Sequence, residues 1–198
     1  MGNQNVQTAH VYRSYEETNR FAIEVAIADY NEIFNEWDPA PFKRRGLNPE
    51  LQYFLDECSN DISIRHPLAI VFYIPSAELD PKKEEFCLTG IRNHFAFKMH
   101  VLNKEQREVM LGVLKNTLIG ILFLCTAIVF DSFTIENLFL RLLREGLFIG
   151  GWVFIWEALA TVGFKNRELK HTIKECERFL DAPIVFKNEQ LPEQQAKL

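Results

Sequence analysis

The chain has 198 residues, a net charge of −5 and a pI near 5.6. Hydrophobic residues make up 47% and charged residues 25%, which excludes a disordered or collagen-like chain, and the acidic balance argues against a nucleic-acid partner. The mean hydropathy of −0.10 is that of a soluble protein, but the apolar residues are concentrated in two segments that this average conceals.

The chain is predicted to start with a polar tail followed by a strand. The segment from Met1 to Ala9 is polar and lacks the apolar core of a signal peptide, so none is expected. From Phe21 to Ala28, larger apolar residues alternate with alanine and glutamate, which is the period of a half-buried β-strand. The alanine content of this segment also permits a helix. A short helical or irregular segment from Tyr30 to Trp37 follows. Asp38-Pro39-Ala40-Pro41 ends it, because proline cannot continue a helix.

Two helices and a second strand are predicted next. Asn48 before Pro49 is a typical helix start, with a capping residue followed by a proline in the first turn. The segment from Pro67 to Pro75 is apolar on both alternating faces, which predicts a central strand covered on both sides. Asp80-Pro81 begins another helix, which is expected to continue into the first apolar segment along a stripe of Leu88, Ile91, Phe95, Met99 and Leu102.

Two segments are long and apolar enough to cross a lipid bilayer. The first extends over 110–130 with Lys115 as its one charged residue, and the second over 146–164 with Glu157 as its one charged residue. About 20 apolar residues in a helix span the ~30 Å hydrocarbon layer. The alternative is a buried helical hairpin of a soluble protein, but such helices normally keep one polar face. We therefore predict two membrane spans.

The basic residues around the spans predict their orientation. The outer flanks carry more Lys and Arg than the connection between the spans, which holds only Arg141 and Arg144. The positive-inside rule then places both termini in the cytosol, where the four cysteines are expected to stay reduced. The flanking residues are Lys104, Arg107 and Lys115 before the first span, and Lys165, Arg167, Lys170 and Lys174 after the second.

The chain after the second span is predicted to complete the soluble part. A 3–4 residue apolar repeat predicts a helix over 166–180, and residues 183–186 form a short apolar run that can pair with the N-terminal strands. The expected fold class is α+β, a small cytosolic sheet with helices fused to a two-helix transmembrane hairpin. The expected parts are a polar tail (1–19), the cytosolic domain (20–108), the hairpin (109–164), the helix and strand that complete the domain (165–187), and a C-terminal tail (188–198).

Three motifs carry a resemblance to a known family. They are Asp38-Pro39-Ala40-Pro41-Phe42 with Arg45 and Leu47, then Ile91-Arg92-Asn93-His94-Phe95, and Glu145-Gly146-Leu147-Phe148-Ile149-Gly150-Gly151-Trp152. Over residues 20–187 the chain resembles a family of uncharacterised bacterial two-span inner membrane proteins. It departs from the family pattern at Ala40, Gly46 and Asn48, where the pattern has Ser, Asp and Asp. The resemblance implies a location in the bacterial inner membrane and supplies no mechanism.

Charged residues within the spans are the first candidate site residues. Glu157 lies deep in its segment, where a charge costs about 2.5–3.5 kcal/mol on insertion scales, so such a residue usually has a partner. In an antiparallel hairpin Lys115 lies at a similar depth, which makes an ion pair between the two geometrically feasible. Glu157 could instead line an ion or proton pathway, or reach the lipid headgroups.

Small and polar residues form a predicted packing face beside these charges. Gly146 and Gly150 form a GxxxG pair on the same helix face as Glu157. The first span carries a matching stripe of Gly112, Asn116 and Gly120. These residues are expected to lock the hairpin or an oligomer.

A second set of candidates is suited to contact lipid headgroups. Lys43-Arg44-Arg45 is a basic cluster shorter than the 4–8 residues usual for lipid binding, so it forms either a solvated loop or a headgroup contact. Trp152 and Trp156 have the amphipathic rings that suit a membrane interface.

The expected function is a non-catalytic one. The sequence has no phosphate-binding, dinucleotide-binding, zinc or nucleophile-elbow motif, so no catalytic residue, metal site or cofactor is predicted, and an enzyme is disfavoured. We expect an interaction or regulatory subunit that anchors a cytosolic domain to the inner membrane, with membrane lipids and a protein partner or a homo-oligomer as its partners. The alternative is an oligomeric pore or transport accessory that uses Glu157.

Overall fold

The computed structural model describes residues 14–15, 20–41, 45–75, 79–131 and 138–188. The chain divides into two compact units, of which the first comprises residues 1–99 and 174–198 and the second residues 100–173. The first unit contains a β-sheet with helices, and the second contains the two apolar helices. The expectation of a mixed α and β fold with two long apolar helices is confirmed.

The sheet of the first unit joins strands from both ends of the chain. Its order is β1 (Ser14–Tyr15), β2 (Arg20–Ala26), β3 (Leu68–Ile74) and β4 (Ile184–Asn188). β1 pairs with β2 in antiparallel fashion, whereas β2, β3 and β4 are parallel. Ile70 pairs with Ile23 on one side and with Ile184 on the other. The predicted strands are therefore present, and β1 adds a short edge strand within the segment predicted as a polar tail.

β3 is the centre of the hydrophobic core, as its two apolar faces predict. All of its residues except Tyr73 are at most 1% exposed. On the neighbouring strand, the Phe186 ring stacks on Phe72 with centroids 5.3 Å apart, and the Tyr30 ring meets Phe186 edge-on at 5.5 Å. Aromatic contacts of this kind add to the free energy gained from apolar burial.

The described residues form four α-helices, which alternate with the strands in an order close to the one predicted. They are α1 (Pro49–Asp61), α2 (Pro81–Asp131), α3 (Leu138–Ala160) and α4 (Asn166–Leu180), with a 3₁₀ turn at Tyr30–Ile33 and a π-helical turn at Thr161–Lys165. α2 runs without a break from the sheet unit into the first apolar segment, as expected. α3 starts before the predicted span, so residues 138–145 of the predicted connection are helical.

The starts of α1 and α2 follow from capping side chains. Asn48 accepts a hydrogen bond from the Glu50 N–H at 2.9 Å, and Asp80 accepts one from the Lys82 N–H at 2.9 Å. Each satisfies one backbone donor that the first helical turn leaves unpaired. The hydroxyl of the buried Tyr30 also accepts from the Asp80 N–H at 3.2 Å, which attaches the start of α2 to the core.

The remaining core of the first unit is formed where α2 packs against α4. The rings of Phe95 and Phe179 are stacked with centroids 4.8 Å apart, and the Cys176 thiol donates to the Phe95 carbonyl at 3.3 Å. Burial raises the pKa of the Cys176 thiol, and it raises that of the buried Cys87 to about 12, so both are inert thiols at neutral pH. None of the four cysteines forms a disulfide bond.

Arg178 of α4 holds the end of α1 against the sheet unit. Its guanidinium donates to the carbonyls of Ser59, Ile62 and His66 at 3.0–3.4 Å, and to the Ser59 hydroxyl at 3.3 Å. Carbonyls at the end of a helix lack partners within the helix, so one side chain here satisfies several orphan acceptors. Burial lowers the pKa of Arg178, which nevertheless stays a cation at neutral pH.

Replacing Arg178 with methionine is expected to destabilise the protein by about 2 kcal/mol, because the carbonyls of Ser59, Ile62 and His66 lose their donor. The measurement is urea or thermal unfolding of the purified full chain. Lys174→Met on the exposed side of the same helix removes the same charge and should leave the midpoint within experimental scatter. Equal midpoints for the two variants would show that Arg178 does not stabilise the fold.

Candidate functional site

The two apolar helices of the second unit cross in backbone contact. A Cβ atom added to Gly120 of α2 would lie 2.9 Å from the carbonyl oxygen of Gly151 and 2.8 Å from Cγ1 of Ile155. A Cβ added to Gly151 would lie 3.0 Å from the carbonyl oxygen of Gly120. No larger residue fits at either position without displacing the other helix, so the close approach depends on both glycines.

Alanines extend this packing face along each helix. Ala127 and Ala158 are 4% and 5% exposed, and each lies seven residues after the crossing glycine of its own helix. Seven residues at 100° each return to within about 20° of the starting direction, so each alanine lies on the face of its glycine. The Phe123 and Phe154 rings meet edge-on beside the crossing, with centroids 5.6 Å apart.

Only some of the small residues predicted to form the packing face contact the other helix. Gly120 was predicted and lies at the crossing, and Gly150 contacts the Phe123 ring, to which an added Cβ would approach within 3.2 Å. Nothing lies within 4 Å of an added Cβ at Gly112 or Gly146, and Asn116 is half-buried. The GxxxG pair is therefore not the crossing itself. Sequence reasoning missed Gly151, Ala127 and Ala158, which a search for small residues at a seven-residue spacing would have found.

Lys115 and Glu157 are both exposed, and the structure does not bring them together. Among the described residues, neither makes an ion pair or a hydrogen bond through its side chain. At 100° per residue, Lys115 points about 140° away from the direction of Gly120, and Glu157 about 120° away from that of Gly151. Each charge therefore faces away from the other helix.

Among the candidates for headgroup contact, the two tryptophans are exposed and Arg45 is half-buried. Trp152 and Trp156 lie one turn apart on α3 and are 44% and 64% exposed. Arg45 is half-buried, and its Nε donates to the Ala40 carbonyl at 3.2 Å. Lys43 and Arg44 lie outside the described residues.

A cavity of about 380 Å³ lies at the connecting end of the two apolar helices. One side is apolar, and the other carries Arg144 with ion pairs to Asp131 and, at 3.9 Å, to Glu145. The apolar lining consists of Ala127, Ile128, Phe148 and Ile149.

Two of the motifs that carry the family resemblance meet in the first unit. The Asp38 carboxylate accepts from the N–H groups of Gly46 at 2.9 Å and Ala40 at 3.0 Å, and these bonds hold its pKa below the usual range. The loop so closed ends at Leu47, whose N–H donates to Nδ1 of His94 at 3.4 Å. Because Ala40 and Gly46 contribute only backbone groups, the loop does not require the side chains that the family pattern has there.

His94 is held as a neutral base at this junction. Burial, and after it the charge of Lys98, lower its pKa, while Asp56 raises it. Lys98 is itself paired with Asp56 at 3.1 Å. Because Nδ1 accepts a hydrogen bond, the network assigns the proton to Nε2, which is buried and has no hydrogen-bond partner among the described residues.

Alanine at Gly120 or Gly151 is expected to destabilise the helix pair by about 1–3 kcal/mol, because the added methyl group collides with the other backbone. Alanine at Gly112 or Gly146 meets open space and should be neutral or slightly stabilising, since alanine favours a helix over glycine. The measurement is thermal unfolding of the four variants in detergent. Equal losses at all four positions would contradict the crossing.

Acidification is expected to weaken the junction at His94. A histidine whose folded-state pKa is depressed binds fewer protons in the folded than in the unfolded protein, so stability falls as the pH drops below about 6.5. His94→Leu should remove this part of the pH dependence, although it lowers stability at every pH by leaving the Leu47 N–H unpaired. Unfolding midpoints between pH 5 and 8, with the exposed His100→Leu as the control, provide the measurement. A pH slope unchanged in His94→Leu would contradict this role.

Comparisons with known protein families, with curated proteins and with solved structures return no match. The resemblance to the two-span membrane family therefore rests on the motif residues alone. What the molecule does has to be inferred from its own geometry, of which the helix pair and the strand pairing are the most informative parts.

Proposed function

We propose that the protein is a two-span membrane protein in which α2 and α3 cross the bilayer as an antiparallel pair. The contacts of Gly120 with Gly151 and of Asp131 with Arg144 support the antiparallel pairing, because residue numbers rise along one helix as they fall along the other. α2 and the helical segment Leu138–Leu180 are both long and apolar enough to cross a membrane.

The outward surface of the pair supports lipid rather than protein as its surroundings. In the most apolar stretch of each helix, 11% of the residues are buried within the structure, whereas the core helix of a soluble protein would bury far more. Large apolar side chains cover this surface, including Leu118, Leu122, Ile149 and Val153. Exposed apolar area on this scale is avoided in soluble monomers.

The observation that carries the proposal is the parallel pairing of β3 with β4. β3 precedes the first apolar helix and β4 follows the second, and the two are hydrogen-bonded neighbours in one sheet. Both flanks of the hairpin therefore belong to one folded unit and lie on the same side of any membrane that it crosses. An even number of crossings follows, and two helices meet this requirement.

The orientation and the location are the finer parts of the proposal. The excess of Lys and Arg on the outer flanks supports a cytosolic sheet unit and a connection on the far side. The resemblance of the motif residues supports the bacterial inner membrane. Trp152 and Trp156, exposed on α3, would contact the lipid, as would the basic cluster Lys43-Arg44-Arg45 if it lies at the headgroups.

The proposed role is that of a non-catalytic interaction or regulatory subunit that holds a partner at the membrane. The sheet unit carries exposed aromatic side chains of the type that anchor protein interfaces, namely Trp37, Tyr53 and Phe97, which are 93%, 70% and 70% exposed. Its buried Cys87 and Cys176 thiols are unreactive at neutral pH, and the Asp38 carboxylate accepts hydrogen bonds within its own loop. These features suit binding better than chemistry.

An oligomeric pore or transport accessory is the second candidate function. The exposed Glu157 favours it, because an acidic side chain on the outer face of a span can line a path formed between copies. Ion flux into liposomes that contain the purified protein, compared with Glu157→Gln, distinguishes the candidates. Flux abolished by this isosteric change would favour the pore, whereas no flux in either preparation favours the anchoring role.

Alkaline carbonate extraction tests the membrane proposal directly. The full chain should remain in the membrane pellet, because two apolar helices hold it there without any partner protein. A tagged soluble protein expressed in the same cells serves as the extraction control. Release of the chain into the carbonate supernatant would overturn the proposal.

Cysteine labelling tests the orientation in intact cells. In a Cys125→Ser background the remaining native thiols are buried, so an impermeant maleimide reports on one introduced cysteine. Arg141→Cys near the connection should react before permeabilisation, and the exposed Glu50→Cys of α1 only afterwards. The reverse order would contradict a cytosolic sheet unit.

A further inference from the structure

Lys115 and Glu157 present opposite charges on the outer surface of an apolar helix pair. Both side chains are exposed, and neither has a partner among the described residues. Each faces away from the other helix of its own pair, and no ion pair joins the two within one chain. In a bilayer both charges need compensation from outside the chain.

The two charges lie at nearly the same depth along the hairpin. Leu124 contacts Gly151, and Asp131 pairs with Arg144. Each step forward along α2 therefore corresponds to one step backward along α3, and these two pairs fix which residues lie at the same depth. By this correspondence Glu157 is level with Leu118, three residues from Lys115. That offset is about 4.5 Å along the axis, which two long side chains can bridge.

We propose that a second copy of the chain supplies the missing partner, and that this interface rests on the membrane location proposed above. In a two-fold dimer whose axis lies along the membrane normal, Glu157 pairs with the partner subunit's Lys115, and Lys115 pairs with the partner subunit's Glu157. Two-fold symmetry makes each such contact occur twice, so one pair of opposite charges on one chain forms two ion pairs. This assignment neutralises both charges and leaves neither free to line a pore.

Open glycines on the outer surface favour the close approach of a second copy. An added Cβ at Gly112 or Gly146 meets nothing within 4 Å, so these glycines are not used inside the chain. Gly112 lies within about 60° of the direction of Lys115, and Gly146 within about 20° of that of Glu157. Small residues in such positions let a neighbouring helix approach, which brings the paired charges within reach.

Charge reversal distinguishes a pair between chains from a pair within one chain. Glu157→Lys and Lys115→Glu each place like charges opposite each other in a homodimer, so each variant alone should lose self-association, with roughly tenfold less co-purified partner than the wild type. Co-expressed with each other, the two variants restore both attractive pairs and should associate as strongly as the wild type. The readout is co-purification of two differently tagged full-length copies in mild detergent.

Two further variants keep the result interpretable. Glu105→Lys changes the same charge at an exposed position of α2 outside the predicted span and should leave association unchanged. Glu157→Gln adds no positive charge that could disturb insertion, and it should lower co-purification to a smaller degree.

The proposed dimer and the proposed membrane location fail in different ways. Chains that resist carbonate extraction but are monomeric as wild type, or whose reversed variants do not associate with each other, overturn the dimer alone. Self-association retained by Glu157→Lys would also overturn the proposed dimer. It would favour an arrangement in which Lys115 and Glu157 reach the lipid headgroups. Chains that carbonate extracts overturn the membrane location, on which the dimer rests.

Discussion

The parallel pairing of β3 with β4 is the constraint on which the rest of the structure depends. Parallel neighbours cannot be joined by a tight turn and need a crossover connection, which here contains α2, α3 and α4. β3 is buried on both faces and hydrogen-bonded at both edges, so the sheet is incomplete until the C-terminal strand returns to it. The two apolar helices are thus tied at both flanks to one folded unit, and this gives the proposed membrane hairpin an even number of crossings.

Each of the two units is stabilised internally by a different kind of contact. In the sheet unit, large side chains fill the interior, as in the stacked pairs Phe72–Phe186 and Phe95–Phe179, and buried polar groups such as the Tyr30 hydroxyl and the Arg178 guanidinium meet backbone partners. In the helix unit, Gly120 and Gly151 bring two backbones into contact and the large side chains point outward. Apolar burial stabilises the first arrangement in water, whereas the second leaves its apolar surface for lipid or for another chain.

The predictions from sequence were most accurate where the signal is local. Asn48 with Pro49 and Asp80 with Pro81 marked helix starts because a capping side chain and a proline act within one turn. The two apolar faces of β3 predicted a central strand for an equally local reason. The packing face of the spans was harder, because a helix that is apolar all round contains no periodic signal for the side that meets a neighbour. Gly120 was found and Gly151 was not, and the ion pair between Lys115 and Glu157, which the sequence made feasible, does not form within the chain.

The positions of most helices and strands and of the long apolar segments could be predicted from the sequence, because side-chain shape and hydrophobicity act on the nearest turns of the chain. Which helix faces meet depends on contacts between distant segments and was visible only in the folded structure. Leucine, isoleucine and valine pack equally well against lipid and against protein, so composition does not indicate which surroundings a helix face has. The backbones of the two helices can approach closely only at Gly120 and Gly151, where no Cβ atom separates them. The same crossing turns Lys115 and Glu157 outward, so that the two form opposite charges on the surface and not the internal ion pair that their depths made feasible.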